Sequence, residues 1–197
     1  MDFDAVIVLG PQGSGKSTQG RRLAEELGFA YWGMGGILRK ILEQGGALAA
    51  KVQSIKEGAL LPDETIIEVL GDRLLALPPR QGVVFDGVPR RMGQARFLID
   101  FLKNHGRAVP VTVFIDVPRE VSRARLAARA GAENRADDTP EGIAERLRSY
   151  EETMQPVMEY LKKETRFIGI DGQPPVEEVA KRVDAALGIV ESSAKEQ

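Results

Sequence analysis

The sequence predicts an α/β fold in which helices cover both faces of a parallel sheet, and two observations carry this prediction. Five short apolar runs alternate with longer stretches of helical periodicity, as a doubly wound sheet requires. The first run leads into a glycine-rich turn and then an amphipathic helix, a strand–loop–helix order typical of such sheets. A chain of 197 residues is long enough for one such domain with a proper core.

The five apolar runs are brief, rich in β-forming residues and followed by turns. They lie at 4–9, 29–32, 82–85, 111–115 and 166–170. Helical periodicity is found at 15–27, 36–57, 63–77, 91–105, 118–130, 140–164 and 175–187. We expect Gly45 and Gly46 to divide the second helical stretch. Since parallel sheets bind ligands at the carboxyl ends of their strands, the residues that follow the runs are the candidates for a site.

Composition narrows the classes of function. The chain has 27 Lys and Arg against 29 Asp and Glu, so its charge gives no reason to expect a nucleic acid or a membrane as partner. It has no cysteine, which excludes disulfides, thiol catalysis and cysteine-ligated zinc. We expect no structural zinc. Because the first apolar run begins near residue 4, we expect no signal peptide, and no apolar run approaches the roughly 20 residues of a membrane span. We therefore expect a soluble cytoplasmic protein.

The loop after the first run fits the pattern glycine, four residues, glycine, lysine, serine. Its residues are Gly10, Pro11, Gln12, Gly13, Ser14, Gly15, Lys16 and Ser17. The glycines let consecutive N–H groups curl around an anion, and the next helix adds the positive end of its dipole. Lys16 can reach the β- and γ-phosphates of a nucleotide, and Ser17 can bind Mg²⁺ directly or through water. The alternative, a helix-capping turn that binds nothing, is disfavoured by the flanking strand and helix.

An aspartate and an arginine follow the third apolar run. The residues there are Asp86, Gly87, Val88, Pro89 and Arg90. An Asp directly after a hydrophobic strand is the usual acidic partner of a phosphate loop and holds the metal through water, although it can also cap a turn. Arg90 is expected at the mouth of the same cleft.

Arginines are dense after the fourth apolar run. Arg125 and Arg129 lie one helical turn apart, Arg135 is in a short polar loop, and Arg146 is on the next helix. Arginine suits a bidentate grip on phosphate, so we interpret Arg129, Arg135 and Arg146 as phosphate ligands, whereas Arg119, Arg123 and Arg148 are expected to form surface ion pairs. A phosphate loop, one Asp and several arginines suit phosphoryl transfer by positioning and charge neutralisation.

These motifs resemble the nucleoside monophosphate kinase family, and the adenylate kinases within it, over about residues 6–186. The phosphate loop, the Asp-Gly-x-Pro-Arg motif with Gln94 downstream, and the arginine series carry the resemblance. It implies a P-loop α/β/α fold with three layers and a five-stranded parallel sheet of order 2-3-1-4-5. The implied single domain covers 1–188. Its parts are a core (1–32, 63–128, 137–188), a monophosphate-binding lobe (33–62) and a short lid (129–136), before a disordered tail (189–197).

The resemblance also implies a role for each site residue. Mg²⁺ is assigned to Ser17 and Asp86, through water in the family's manner, and catalysis to Lys16, Arg90, Arg129, Arg135 and Arg146. ATP is assigned to the loop from Gly10 to Thr18, to Arg125 and Arg129, and to Gly172, Gln173 and Pro174. AMP is assigned to Met34, Gly35, Arg39, Ala59, Leu60, Leu61, Gly87, Arg90, Gln94, Arg135 and Arg146.

The expected activity is reversible, Mg²⁺-dependent transfer of the γ-phosphoryl group of ATP to AMP, giving two ADP, by a monomer. An alternative acceptor is dAMP, CMP, UMP or GMP, because Met34 and Gly36 stand where the family usually has Thr and Asp. Gln94 favours adenine. A third hypothesis, a nucleotide-binding regulator without chemistry, is disfavoured by the retained Lys16 and Asp86.

Overall fold

The structure, a computed structural model, describes residues 1–53, 61–133 and 140–189. The strands in this part of the chain are β1 (Ala5–Leu9), β2 (Ala30–Gly33), β3 (Val83–Asp86), β4 (Val111–Asp116) and β5 (Arg166–Asp171). The helices are α1 (Lys16–Leu27), α2 (Met34–Gln44), α3 (Ala47–Lys51), α4 (Asp63–Leu75), α5 (Met92–Asn104), α6 (Arg119–Glu133), α7 (Pro140–Glu164) and α8 (Val176–Leu187).

The five strands form one parallel sheet of order β2-β3-β1-β4-β5. This confirms the predicted fold class and strand order. The register places Val8 opposite Asp86, and Leu9 opposite Phe114. The carboxyl ends of β1 and β3 therefore lie side by side, which brings Asp86 next to the loop that follows β1.

The sheet is covered on both faces, which explains why its central strand is apolar throughout. Ala5, Ile7 and Leu9 belong to a core cluster with helices α2, α4, α5 and α7, whereas Val6 and Val8 face a second cluster with α1 and α8. All five residues of β1 are buried. The side chains on both faces of β1 are therefore removed from water, so its sequence is a continuous hydrophobic run rather than an alternating one.

Most predicted helices match their observed counterparts within about two residues, and two differences bear on the site. The stretch predicted over 36–57 is divided into α2 and α3 by Gly45 and Gly46, whose φ angles are 73° and 87°. The helix predicted over 118–130 continues to Glu133, so the first part of the expected lid is helical. The rest of the lid, residues 54–60 of the expected lobe and the tail from 190 lie outside the described residues. In the described ranges, no helix combines the length and apolarity needed to cross a membrane.

Candidate active site

The loop between β1 and α1 packs so closely that glycine is required at two positions. Gly10 has a φ of 150°, and a Cβ there would lie 2.4 Å from the carbonyl oxygen of Ile115 on β4. Gly13 has a φ of 82°, and its Cβ would lie 2.9 Å from the carbonyl oxygen of Ser122 on α6. The two neighbouring elements thus press on the loop from outside, and its curled backbone is fixed by contacts that a side chain would break.

The helix start places a lysine over this loop. Lys16 is the first residue of α1, and its Nζ donates a hydrogen bond to the carbonyl oxygen of Pro11 at 3.1 Å. The N–H of Ser14 donates to the same oxygen, also at 3.1 Å. The N-cap residue, Gly15, has no side chain with which to cap the helix. The first-turn N–H groups and the lysine together form an anion-binding arrangement. Ser17 and Thr18 lie exposed on that first turn.

The carboxylate of Asp86 is buried beside the loop. Its side chain ends β3 and the residue is 5% exposed. Oδ2 accepts a hydrogen bond from the Tyr31 hydroxyl at 2.5 Å, while Oδ1 has no hydrogen-bond partner among the described residues. A buried, unpaired carboxylate oxygen is costly unless something polar meets it. Asp86 therefore fits the role of holding Mg²⁺, directly or through its water.

Tyr31 is a site residue that the sequence prediction missed. Its ring lies over β2, where a Cβ added to Gly33 would be 2.9 Å from the ring, and the guanidinium of Arg21 lies 4.8 Å from its centroid. Burial, followed by the hydrogen bond to Asp86, raises the pKa of Tyr31, while Arg21 and a hydrogen bond with Ser17 act in the opposite direction. Strand periodicity puts residues 31 and 33 on the same face of β2, but it does not show that this face lies beside Asp86 on β3.

The turn after β3 carries the second basic side chain of the site. Gly87 has a φ of 77°, and the peptide bond between Val88 and Pro89 is cis. Nε of Arg90 donates to the carbonyl oxygen of Gly87 at 3.0 Å. The guanidinium is thereby held against the turn that follows Asp86.

Gln94 and Asp63 join the adjacent helices behind Arg90. Gln94 is 4% exposed, and its Oε1 accepts a hydrogen bond from the backbone N–H of Arg90 at 2.8 Å. Its Nε2 donates to Oδ1 of Asp63, the first residue of α4, at 2.9 Å. Both the oxygen and the nitrogen of the amide of Gln94, the predicted base-contacting residue, are therefore hydrogen-bonded within the protein.

One cleft brings the two basic side chains together. Its lining residues are Val8, Leu9, Gly10, Gln12, Lys16, Gly87, Pro89, Arg90, Tyr150 and Met154. Tyr150 lies on α7, and burial raises the pKa of its hydroxyl, with the charge of Asp116 adding to the effect and that of Arg90 opposing it. Lys16 and Arg90 therefore face a shared space at the carboxyl edge of the sheet.

The predicted acceptor residues on the lobe are only partly brought to this cleft. Met34 and Leu61 are each 4% exposed and belong to the large core cluster. Met34 packs near Gly87, since a Cβ added to that glycine would lie 3.9 Å from the Met34 Cβ. Arg39 is exposed on α2, where its Nη1 lies 3.5 Å from the position of a Cβ on Gly35. Ala59 and Leu60 lie outside the described residues.

Arg125 joins the phosphate loop to the turn after β5. Its Nη1 donates to the carbonyl oxygens of Gly172 at 3.0 Å and Gly13 at 3.4 Å, and its Nη2 donates to that of Gln173 at 3.1 Å. The backbone N–H of Gln173 also donates to Oδ1 of Asp171, and this bond is the main reason that the pKa of Asp171 is lowered. The predicted ATP-side residues 13, 125, 172 and 173 thus form one bonded group, with Pro174 next in the chain.

The side chains of three predicted catalytic arginines lie outside the described part of the structure. The backbone of Arg129 is in α6 and that of Arg146 is in α7, but their side chains, and the whole of Arg135, are not among the described parts of the chain. Neighbouring arginines on the same helices make surface ion pairs, Arg119 with Glu151 at 3.0 Å and Arg148 with Glu145. Within the described ranges, no three or more His, Cys, Asp or Glu residues are grouped so as to hold a metal.

A glycine loop with its lysine, a carboxylate ending the adjacent strand and an arginine across the cleft define a P-loop phosphotransferase. A family model described as adenylate kinase matches residues 8–166. An adenylate kinase of Thermus thermophilus is 39% identical over 186 residues, covering 94% of this chain and 97% of the relative. Adenylate kinases of Xanthomonas campestris and Dehalococcoides mccartyi are each 34% identical, covering 93% and 92% of this chain and 98% and 97% of those proteins. The chain belongs to the adenylate kinase family, and it is a nucleoside monophosphate kinase that transfers a phosphoryl group between ATP and AMP.

Proposed function

We propose that the cleft between Lys16 and Arg90 is where this transfer takes place. ATP is held by the phosphate loop with its triphosphate over the start of α1, and AMP enters from the side of α2 and α4. The observation that carries the assignment is that Lys16 and Arg90, which follow different strands of the sheet, line one cleft. Two phosphates that meet there are flanked by positive charge on both sides, which neutralises the repulsion that otherwise keeps them apart.

The reaction in this site is a direct, in-line transfer. An oxygen of the AMP phosphate attacks the γ-phosphorus of ATP as the bond between that phosphorus and the β–γ bridging oxygen breaks, so that two ADP are formed. Lys16 and the loop N–H groups bind the β- and γ-phosphates, and Arg90 binds the phosphate of AMP. Ser17 and Asp86 would hold Mg²⁺, which supplies further neutralisation of the phosphate oxygens.

The remaining predicted residues complete this scheme. We propose that Arg129, Arg135 and Arg146 close over the transferring group, with the lobe at 33–62 and the short lid at 129–136 moving over the nucleotides. Closure excludes water, which would otherwise accept the phosphoryl group. We further propose that the enzyme works as a cytoplasmic monomer.

A coupled assay with a panel of monophosphates tests this function. With ATP and Mg²⁺, AMP is expected to react faster than CMP, UMP or GMP. Lys16→Ala and Arg90→Ala are each expected to lower turnover by about two orders of magnitude, because each removes a charge next to the transferring group. Arg96→Ala, which removes an exposed arginine on α5, serves as the matched control.

Two outcomes would contradict the proposal. A faster reaction with CMP or UMP than with AMP would overturn adenine as the acceptor base. Near-normal AMP phosphorylation by folded Arg90→Ala protein would remove Arg90 from the proposed site.

A further inference from the structure

The amide of Gln94 lies between two groups that can each play only one hydrogen-bonding role. The backbone N–H of Arg90 can only donate, and it meets Oε1 at 2.8 Å. The carboxylate of Asp63 can only accept when ionised, and it meets Nε2 at 2.9 Å. Turning the amide by half a rotation would set its NH₂ group against an N–H and its oxygen against a carboxylate. The two neighbours therefore select one orientation of the amide.

The approach of Asp63 to α5 depends on a glycine. A Cβ added to Gly93 would lie 2.5 Å from Oδ2 of Asp63. Gly93 is the second residue of α5, and glycine is a poorer helix former than alanine, so local propensity does not explain its presence. The close contact between the start of α4 and α5 does explain it.

A simpler reading is that Gln94 only caps α5 by accepting the N–H of Arg90, a contact near the helix start. That role requires one amide oxygen and no carboxylate. The bond to Asp63 comes from a different helix, links residues 31 apart in sequence, and fixes the other end of a side chain that is 4% exposed. Capping therefore leaves the Asp63 contact unexplained.

We propose that Asp63 is a positioning residue that orients Gln94 and thereby selects a 6-aminopurine over a 6-oxopurine in the acceptor site. An oriented amide keeps a second N–H hydrogen and a second oxygen lone pair for a base. These match the ring nitrogen acceptor and amino donor of adenine, and they oppose the N–H donor and carbonyl acceptor of hypoxanthine. The inference rests on the proposed placement of AMP beside Arg90 and Gln94.

The test measures kcat/KM for AMP and for inosine monophosphate at saturating ATP. Asp63→Ala is expected to lower the ratio of the two values about tenfold, because the amide loses a bond to a charged partner. The loss should appear in KM for AMP, with kcat and the KM for ATP little changed. Gly93→Ala should lower the ratio similarly while keeping every charge, because the added methyl displaces Asp63.

Two further variants separate orientation from charge and from helix stability. Glu64→Ala removes the neighbouring, exposed carboxylate in the first turn of α4, and it should leave the ratio unchanged. Asp63→Asn retains an oxygen that can accept from Gln94, and it should keep the ratio within about threefold of the wild-type value.

An unchanged ratio in both Asp63→Ala and Gly93→Ala, with thermal melts showing folded protein, would overturn the inference. An equal loss in Glu64→Ala would do the same, because the effect would then belong to helix charge. Wild-type protein that turns over AMP no better than inosine monophosphate would overturn both this inference and the proposed acceptor site. If the wild-type protein prefers AMP but no variant changes that preference, this inference is overturned while the proposed acceptor site stands.

Discussion

The site has a proposed donor wall, made by the loop after β1, and a proposed acceptor wall, made by Arg90 and the residues behind it. The donor wall is shaped by backbone, with Gly10 and Gly13 pressed against main-chain oxygens of Ile115 and Ser122. The acceptor wall is shaped by side chains, in which Asp63 bonds Gln94 and Gln94 bonds the N–H of Arg90. Backbone N–H groups and a helix dipole recognise phosphate in any nucleotide, whereas oriented side chains can distinguish one base from another.

From this difference we expect acceptor specificity to depend on the acceptor wall and the rate common to all acceptors to depend on the donor wall. Changes in the donor wall should slow transfer to every acceptor by the same factor, because all acceptors share the bound ATP. Changes behind the acceptor wall should alter the ranking of acceptors. Two kinetic predictions and one stability prediction test this division of roles.

Gly10→Ala is expected to have the largest effect. Its Cβ would lie 2.4 Å from the Ile115 carbonyl oxygen, at a φ of 150°, so the loop must move away from β4. We expect kcat/KM for ATP to fall by at least about 100-fold, by the same factor with every acceptor, in steady-state assays. Gly106→Ala is the control, because it has a positive φ of 64° but open space for its Cβ, at the far end of α5. A loss that differs between acceptors would contradict the division of roles.

Arg125→Ala is expected to have an intermediate effect confined to the donor side. It removes the bonds that join Gly13 to the turn at Gly172 and Gln173. We expect KM for ATP to rise about tenfold while KM for AMP stays the same. Arg123→Ala, at an exposed position on the same helix, should leave both constants unchanged. Equal rises in the two KM values would instead place Arg125 in the structure common to both walls.

The smallest effect concerns stability at the junction with the acceptor lobe. Gly36→Ala should stabilise the protein by about 1 kcal/mol, because the position is helical and its Cβ meets open space. Gly33→Ala should destabilise it by about 1–3 kcal/mol, because its Cβ would meet the Tyr31 ring at 2.9 Å. Urea unfolding of both variants measures the sign of each change in the free energy of unfolding. Equal signs would show that the Tyr31 ring yields without cost.

Much of the architecture could be predicted because it is encoded locally. The runs at 4–9 and 82–85 are continuous and apolar because both faces of the sheet are covered, and each matches a strand within one residue. The loop glycines and Asp86 follow those strands directly, so their proximity needed only the rule that parallel strands end at one edge. The exact order of the strands came from the family resemblance.

The missed contacts are those that depend on how separate elements pack. Tyr31 meets Asp86 because β2 lies next to β3, which local periodicity does not reveal. Asp63 meets Gln94 through the packing of α4 on α5, and Arg125 reaches a turn 47 residues away. The roles of Arg129, Arg135 and Arg146 stay predictions, because their side chains lie outside the described residues.

The chain contains a single tryptophan, and its location gives the enzyme a built-in optical probe. Trp32 is 7% exposed, packs edge-on against Phe85 with a centroid distance of 5.5 Å, and is followed after one residue by α2. The indole thus sits where the rigid sheet meets the lobe expected to move. A change in its emission during rapid mixing with AMP would follow that movement in real time, with no label attached.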